Sequence, residues 1–108
     1  MAKVTMDEIE AMGRTISEEF HPRQVVLFGS YARGTASDES DVDLLVVLPE
    51  LEKPIDKAVE IRMALPRSIP VDVLVRSPEK VRERIELGDF FMQDVFREGV
   101  RLYEDTDV

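Results

Sequence analysis

Short apolar runs ended abruptly by glycine or proline constrain this chain more than anything else. Gln24–Phe28 (QVVLF) stops at Gly29, and Val42–Leu48 stops at Pro49. Val71–Val75 (VDVLV) follows Pro70 and is succeeded by Ser77-Pro78. Runs this short and this rich in β-branched residues read as buried strands. Between them lie longer stretches with helical spacing. Met6–Phe20 sets Ile9, Met12, Ile16 and Phe20 on one stripe with acids opposite, and His21-Pro22 ends it. From Lys53 to Leu65, Ile55, Ala58, Val59 and Met63 mark a second amphipathic helix, closed by Pro66. Ser77 is a suitable N-cap with Pro78 in the first turn, and helical composition continues to Arg97 with Gly88 as a break. Gly99 ends that segment, and Val100–Tyr103 has the character of an edge strand. The predicted order is α-β-α-β-α-β-α-β. This is an α/β (α+β) chain, with a small mixed sheet of about four strands flanked by helices.

All 108 residues are expected to form a single domain with one core. No apolar run approaches the ~20 residues of a membrane span. The start, Met1-Ala2-Lys3-Val4-Thr5, lacks the apolar stretch of a secretory signal, so a cytoplasmic location is expected. The absence of cysteine excludes disulfides and thiolate metal sites. The formal net charge is -9, from 23 acids against 14 dispersed bases. Nucleic-acid binders owe most of their affinity to phosphate neutralisation by a basic surface, so this charge argues against direct nucleic-acid binding. A small phosphate substrate accompanied by metal ions, or a basic protein partner, suits the acidity better.

The chemistry concentrates at three places. Asp41 and Asp43 open the second strand, and side chains two apart on a strand share a face, so their carboxylates converge. Two carboxylates so close resist joint ionisation without a cation. Mg²⁺ meets that need, since it takes carboxylate oxygens together with substrate phosphate. An Asp-x-Asp alone reads more simply as a turn cluster in the acidic loop Asp38–Asp41, and a calcium loop is excluded because Leu44 stands where an EF-hand needs glycine.

Second, Gly29-Ser30 ends one strand and opens a short helix through Tyr31-Ala32-Arg33, with Ser30 as the expected N-cap. Such a turn offers free N–H groups to an anion, and glycine lets a phosphate approach the backbone. Ten residues separate Ser30 from Asp41, enough for the chain to return beside the first strand in either direction. Third, Asp72 interrupts an apolar strand. An unpaired carboxylate is costly to bury, so it is expected at a rim, in an ion pair with Arg62 or Arg76, or on a cation.

Gly29-Ser30-Tyr31-Ala32-Arg33-Gly34 followed by Ser40-Asp41-Val42-Asp43-Leu44 resembles the signature of the DNA-polymerase-β-like nucleotidyltransferase superfamily. The small size and the ending Gly99-Val100-Arg101-Leu102-Tyr103-Glu104 resemble its minimal branch, members of which pair with helical HEPN toxins. The resemblance implies a nucleotidyltransferase-like fold and a Mg²⁺-dependent transfer of AMP from ATP. It implies that Asp41 and Asp43 hold two Mg²⁺ ions, that Asp72 binds the second and helps deprotonate the attacking hydroxyl, and that Gly29 and Ser30 hold the triphosphate. Arg33 is placed with the nucleotide-binding residues, a structural ion pair being the alternative. The implied acceptor is a hydroxyl, a tyrosine of a cognate HEPN toxin, with this chain as antitoxin in a hetero-oligomer. Three rivals remain: neutralisation by binding alone, adenylyl transfer to a small molecule, and a tethered subunit of a larger polymerase, which the negative charge disfavours.

Other residues carry less. His21 reads as a helix C-cap or a solvent-facing residue, Tyr31 as packing, and Phe90, Phe91 and Phe96 as core in preference to a partner-binding surface. Met12, Met63 and Met92 read as core fillers.

Overall fold

A computed structural model describes residues 3–105, so Met1 and Ala2 of the start considered above, and the last three residues of the expected 1–108 domain, lie outside it. The described residues form α1 (Met6–Phe20), β1 (Gln24–Phe28), α2 (Ser30–Arg33), β2 (Val42–Val47), α3 (Pro54–Met63), β3 (Val71–Arg76), α4 (Pro78–Glu86), α5 (Phe90–Glu98) and β4 (Val100–Glu104). Among them no helix is long and apolar enough to cross a membrane.

The sheet order is β3-β2-β1-β4. β1 pairs antiparallel with both β2 and β4, while β2 and β3 are parallel, so the sheet is mixed as expected. Parallel neighbours need a crossover, and α3 supplies it between β2 and β3. Alternation along the strands divides two cores. Ile9, Met12 and Ile16 of α1 and Ile61 of α3 pack on one face, against Val25, Leu27, Leu44, Val46, Val71 and Val75. On the other, Val81 of α4 and Met92 and Val95 of α5 cover Val26, Leu45 and Val47. Each fully buried side chain of this size contributes about 1.5–3 kcal/mol.

The helix ends follow from local chemistry. Thr5 and Glu8 form a reciprocal capping box at α1, with the Thr5 hydroxyl accepting from the Glu8 N–H at 3.1 Å. His21 is the left-handed C-cap (φ 51°) and its N–H donates to the Ser17 carbonyl, matching its expected role. Gly88, with φ +85°, breaks the last helical segment into α4 and α5, and Asp89 caps α5 by accepting from the Met92 N–H. The break expected at Gly88 thus divides the helical segment between β3 and β4 in two.

Three expectations need correction. Of the apolar stripe assigned to α3 only Ala58 packs on the core: Ile55 is 80% exposed, Val59 55% and Met63 76%, while Ile61 is fully buried with Leu65 beyond it. The sequence holds two interleaved stripes, and α3 uses the one formed by Ala58, Ile61 and Leu65. Met63 is therefore no core filler, although Met12 and Met92 are. Phe90 is 80% exposed and Phe91 49%, because the Asp89 cap puts both in the first turn of α5, ahead of the buried Met92 and Val95. Phe96 packs against the second core as expected.

Candidate functional site

The site grows from the end of the sheet where β1 finishes and β2 and β3 begin. The antiparallel return of β2 sets Phe28 opposite Asp43, and the parallel register sets Asp43 opposite Asp72. Alternation puts Phe28, Asp43 and Asp72 on the α4–α5 face, alongside Leu45 and Leu74 of that core. Directly opposed residues on neighbouring strands hold their side chains within about 5 Å. Asp41 lies just ahead of β2 and is exposed.

Charge couples the three carboxylates. Burial pushes the Asp43 carboxyl above the ordinary carboxylate range; the charges of Asp72 and then Asp41 push it further, and the Arg33 guanidinium draws it back. Asp72 is exposed at the rim of the edge strand, one of the three settings expected for it. The ion pairs weighed for it are not made. Arg62 donates to the carbonyls of Pro66 and Ile69, and Arg76 to that of Val75.

Gly29 is fitted against this cluster. Its φ of +77° and ψ of -154° fall in a region that only glycine adopts without strain. A Cβ there would collide with Oδ2 of Asp43 and lie 3.2 Å from its Cγ. Gly29, not Ser30, is the N-cap of α2. The tight exit from β1 demands positive φ at the cap, and Ser30 becomes the first helical residue. The Ser30 hydroxyl therefore makes no capping bond and remains available as a donor. First-turn N–H groups lack intrahelical partners, which leaves those of Ser30 and Tyr31 open to a ligand. The Tyr31 hydroxyl is turned away, accepting from the Val4 N–H, which agrees with a packing role. Arg33 makes no ion pair among the described residues and borders a cavity of about 230 Å³ together with Gly29, Phe28 and Phe91.

The profile of the nucleotidyltransferase domain family matches residues 12–102. The chain belongs to this family. The resemblance carried by Gly29–Gly34 and Ser40–Leu44 is thereby borne out. A candidate protein adenylyltransferase of Methanocaldococcus jannaschii is 37% identical over 79 residues, covering 73% of this chain and 77% of that protein. The protein adenylyltransferase MntA of Thermococcus cleftensis is 42% identical over 55 residues, covering 47% and 56%. Among solved structures, a nucleotidyltransferase-type protein of Sulfolobus solfataricus superposes with a TM-score of 0.66 at 19% identity, covering 99% of this chain and 95% of that one. A toxin–antitoxin complex with AMP-PNP gives 0.62 at 20% identity, covering 93% and 75%. At such identities the structures bear on the fold, and they agree with it. The chain is a nucleotidyltransferase of mixed α/β architecture.

The donor set of this nucleotidyltransferase can be tested against a divalent ion. It is all oxygen, mutually repelling and uncompensated save by Arg33, which suits a hard cation. Among the described residues no three acidic or histidine side chains stand close enough to enclose an ion by themselves. The arrangement is open, and Mg²⁺ favours such sites because it keeps water and substrate phosphate among its ligands. The aromatic pair beside it went unread in the sequence: Phe91 stands edge-on to Phe28 at 5.6 Å. The signal was Gly88-Asp89, a helix break and cap that place Phe91 in a first turn.

Proposed function

We propose that this nucleotidyltransferase transfers AMP from ATP to a protein hydroxyl, a tyrosine of a cognate HEPN toxin, and so acts as an antitoxin in the cytoplasm, with residues 1–108 as one catalytic domain. The observation that carries this is the placement of Asp43 opposite Asp72, with Gly29 packed against the Asp43 carboxylate. One relative is a protein adenylyltransferase by name and another a candidate one, and one structural neighbour is a toxin–antitoxin complex with AMP-PNP.

In this reading Gly29 and the N–H groups and hydroxyl at Ser30 hold the β- and γ-phosphates, and Arg33 offsets their charge. Asp41, Asp43 and Asp72 would hold two Mg²⁺ ions, which supply charge neutralisation along the triphosphate and at the reacting centre. Asp72 accepts the proton of the acceptor hydroxyl. The hydroxyl oxygen attacks the α-phosphorus in line, the bond from that phosphorus to the bridging oxygen breaks, and pyrophosphate leaves with the electron pair. Orientation and charge placement dominate the rate of such transfers.

The exposed apolar stripe Ile55, Val59 and Met63 favours a second reading, neutralisation by contact alone. One experiment separates the two. The partner toxin is incubated with this chain, ATP and Mg²⁺, and its intact mass is measured, with Asp41→Asn/Asp43→Asn as control. Enzymatic neutralisation requires a mass gain of one or more AMP groups that the double variant abolishes along with neutralisation. Neutralisation that survives in the double variant refutes transfer as its cause.

A further inference from the structure

Past Asp72, on the same face of β3, come Leu74 and Arg76, about 7 and 13 Å farther along the strand. They floor a groove of about 570 Å³ between β3 and α4, walled by Phe91 and carrying Lys80 and Arg84. Three cations in one groove stand out in a chain with a net charge of -9. Asp89 is the acid on its wall, and Arg84 already holds it at 2.9 Å. Lys80 pairs with Glu83 at 3.5 Å, an exposed contact of little strength. Arg76 is half-buried, donates to the Val75 carbonyl at 2.8 Å, and makes no ion pair among the described residues. A guanidinium so placed favours an anionic ligand.

The triphosphate has its own turn at Gly29–Ser30 after β1, whereas the groove lies two strands away over β3, with Phe91 bordering both. The nucleoside is uncharged and gives three cations nothing to neutralise. The acceptor is left, entering on the Asp72 side. We infer that the Arg76–Lys80–Arg84 groove binds an acidic stretch of the acceptor protein next to its target hydroxyl. The groove reaches about four residues of extended chain beyond Asp72. This assignment rests on the function proposed above and names the acceptor chemistry that site selects.

The test uses the full chain and two fluorescent tyrosine peptides, one flanked by glutamates and one by lysines, with binding read by anisotropy at low salt. The glutamate peptide binds roughly tenfold more tightly, as expected for one or two charge-assisted contacts, and added salt erodes the difference. Arg76→Glu with Lys80→Glu reverses the preference, and Lys80→Glu alone, at an exposed position, reduces it. AMP-PNP affinity, measured by calorimetry, stays unchanged in all variants. Equal binding of the two peptides overturns the inference. So does loss of AMP-PNP affinity with peptide binding intact, which would assign the groove to the nucleotide. If binding follows charge as stated but no peptide tyrosine gains AMP from ATP and Mg²⁺, the groove stands and protein adenylylation falls.

Discussion

Gly29 and Asp43 are built against each other: the carboxylate occupies the space a side chain at position 29 would need. Gly29→Ala therefore meets two penalties, a collision with Asp43 and a φ of +77° that an L-residue resists. Strain of this kind costs about 1–3 kcal/mol. We expect a lower melting temperature and loss of AMP transfer, measured by thermal denaturation and by radiolabel from α-labelled ATP. Transfer at the wild-type rate would contradict this fit.

Asp43 carries an electrostatic penalty in the free protein. Its folded carboxyl is held above the ordinary value of 3.8, so the folded state binds the extra proton. Stability consequently falls as pH rises from 3.8 through the raised value, and the penalty is fully present at neutral pH. Asp43→Asn removes it. The variant should melt no lower than wild type at pH 7, with any advantage disappearing in acid, while transfer drops by at least about a hundredfold. A variant clearly less stable than wild type at neutral pH would refute this account of the cluster.

Divalent ions should reverse the same penalty. Mg²⁺ with AMP-PNP at about a hundred times the dissociation constant should stabilise wild type by roughly 2.7 kcal/mol. Chelation should remove the gain, and Asp41→Asn/Asp43→Asn should never show it. Differential scanning fluorimetry suffices; equal shifts in the double variant would detach the carboxylates from metal binding.

The α5 cap has the opposite pH signature. The Met92 N–H and then the Arg84 guanidinium hold the Asp89 carboxyl below 3.8. Its contribution is present above 3.8 and is lost as pH falls through the depressed value. Asp89→Ala should melt lower than wild type at neutral pH and converge with it in strong acid, followed by circular dichroism. A constant difference at all pH values would point to packing instead.

Packing gives a contrast between two apolar positions. Leu45 is fully buried, and Leu45→Ala should cost about 2–5 kcal/mol in urea denaturation. Met63 is 76% exposed, and Met63→Gln should stay within about 0.5 kcal/mol. Similar losses at both would mean that α3 buries the stripe named from its periodicity.

What the sequence made legible was whatever local chemistry decides. The strand ends at Gly29 and Pro49 and the Ser77 cap need only a few neighbouring residues, whereas Asp41, expected to open β2, stands just ahead of it. Asp72 was legible because a carboxylate among valines demands an explanation. The α3 face was not, since Ile55-Val59-Met63 and Ala58-Ile61-Leu65 are equally good helical stripes and the crossover onto β3 chooses between them. Nor was the cap of α2, where the exit geometry of β1 places the positive φ at Gly29. The Asp43–Asp72 register depends on pairing across 28 intervening residues, beyond any local signal.

The candidate chemistry is contained between Gly29 and Asp72, while the cationic groove begins after it, with Arg76, Lys80 and Arg84. Catalyst and selector thus occupy successive lengths of the chain. Grafting the stretch after Asp72 between relatives should exchange clients while leaving the reaction untouched, so such proteins can track a changing target through their later residues alone.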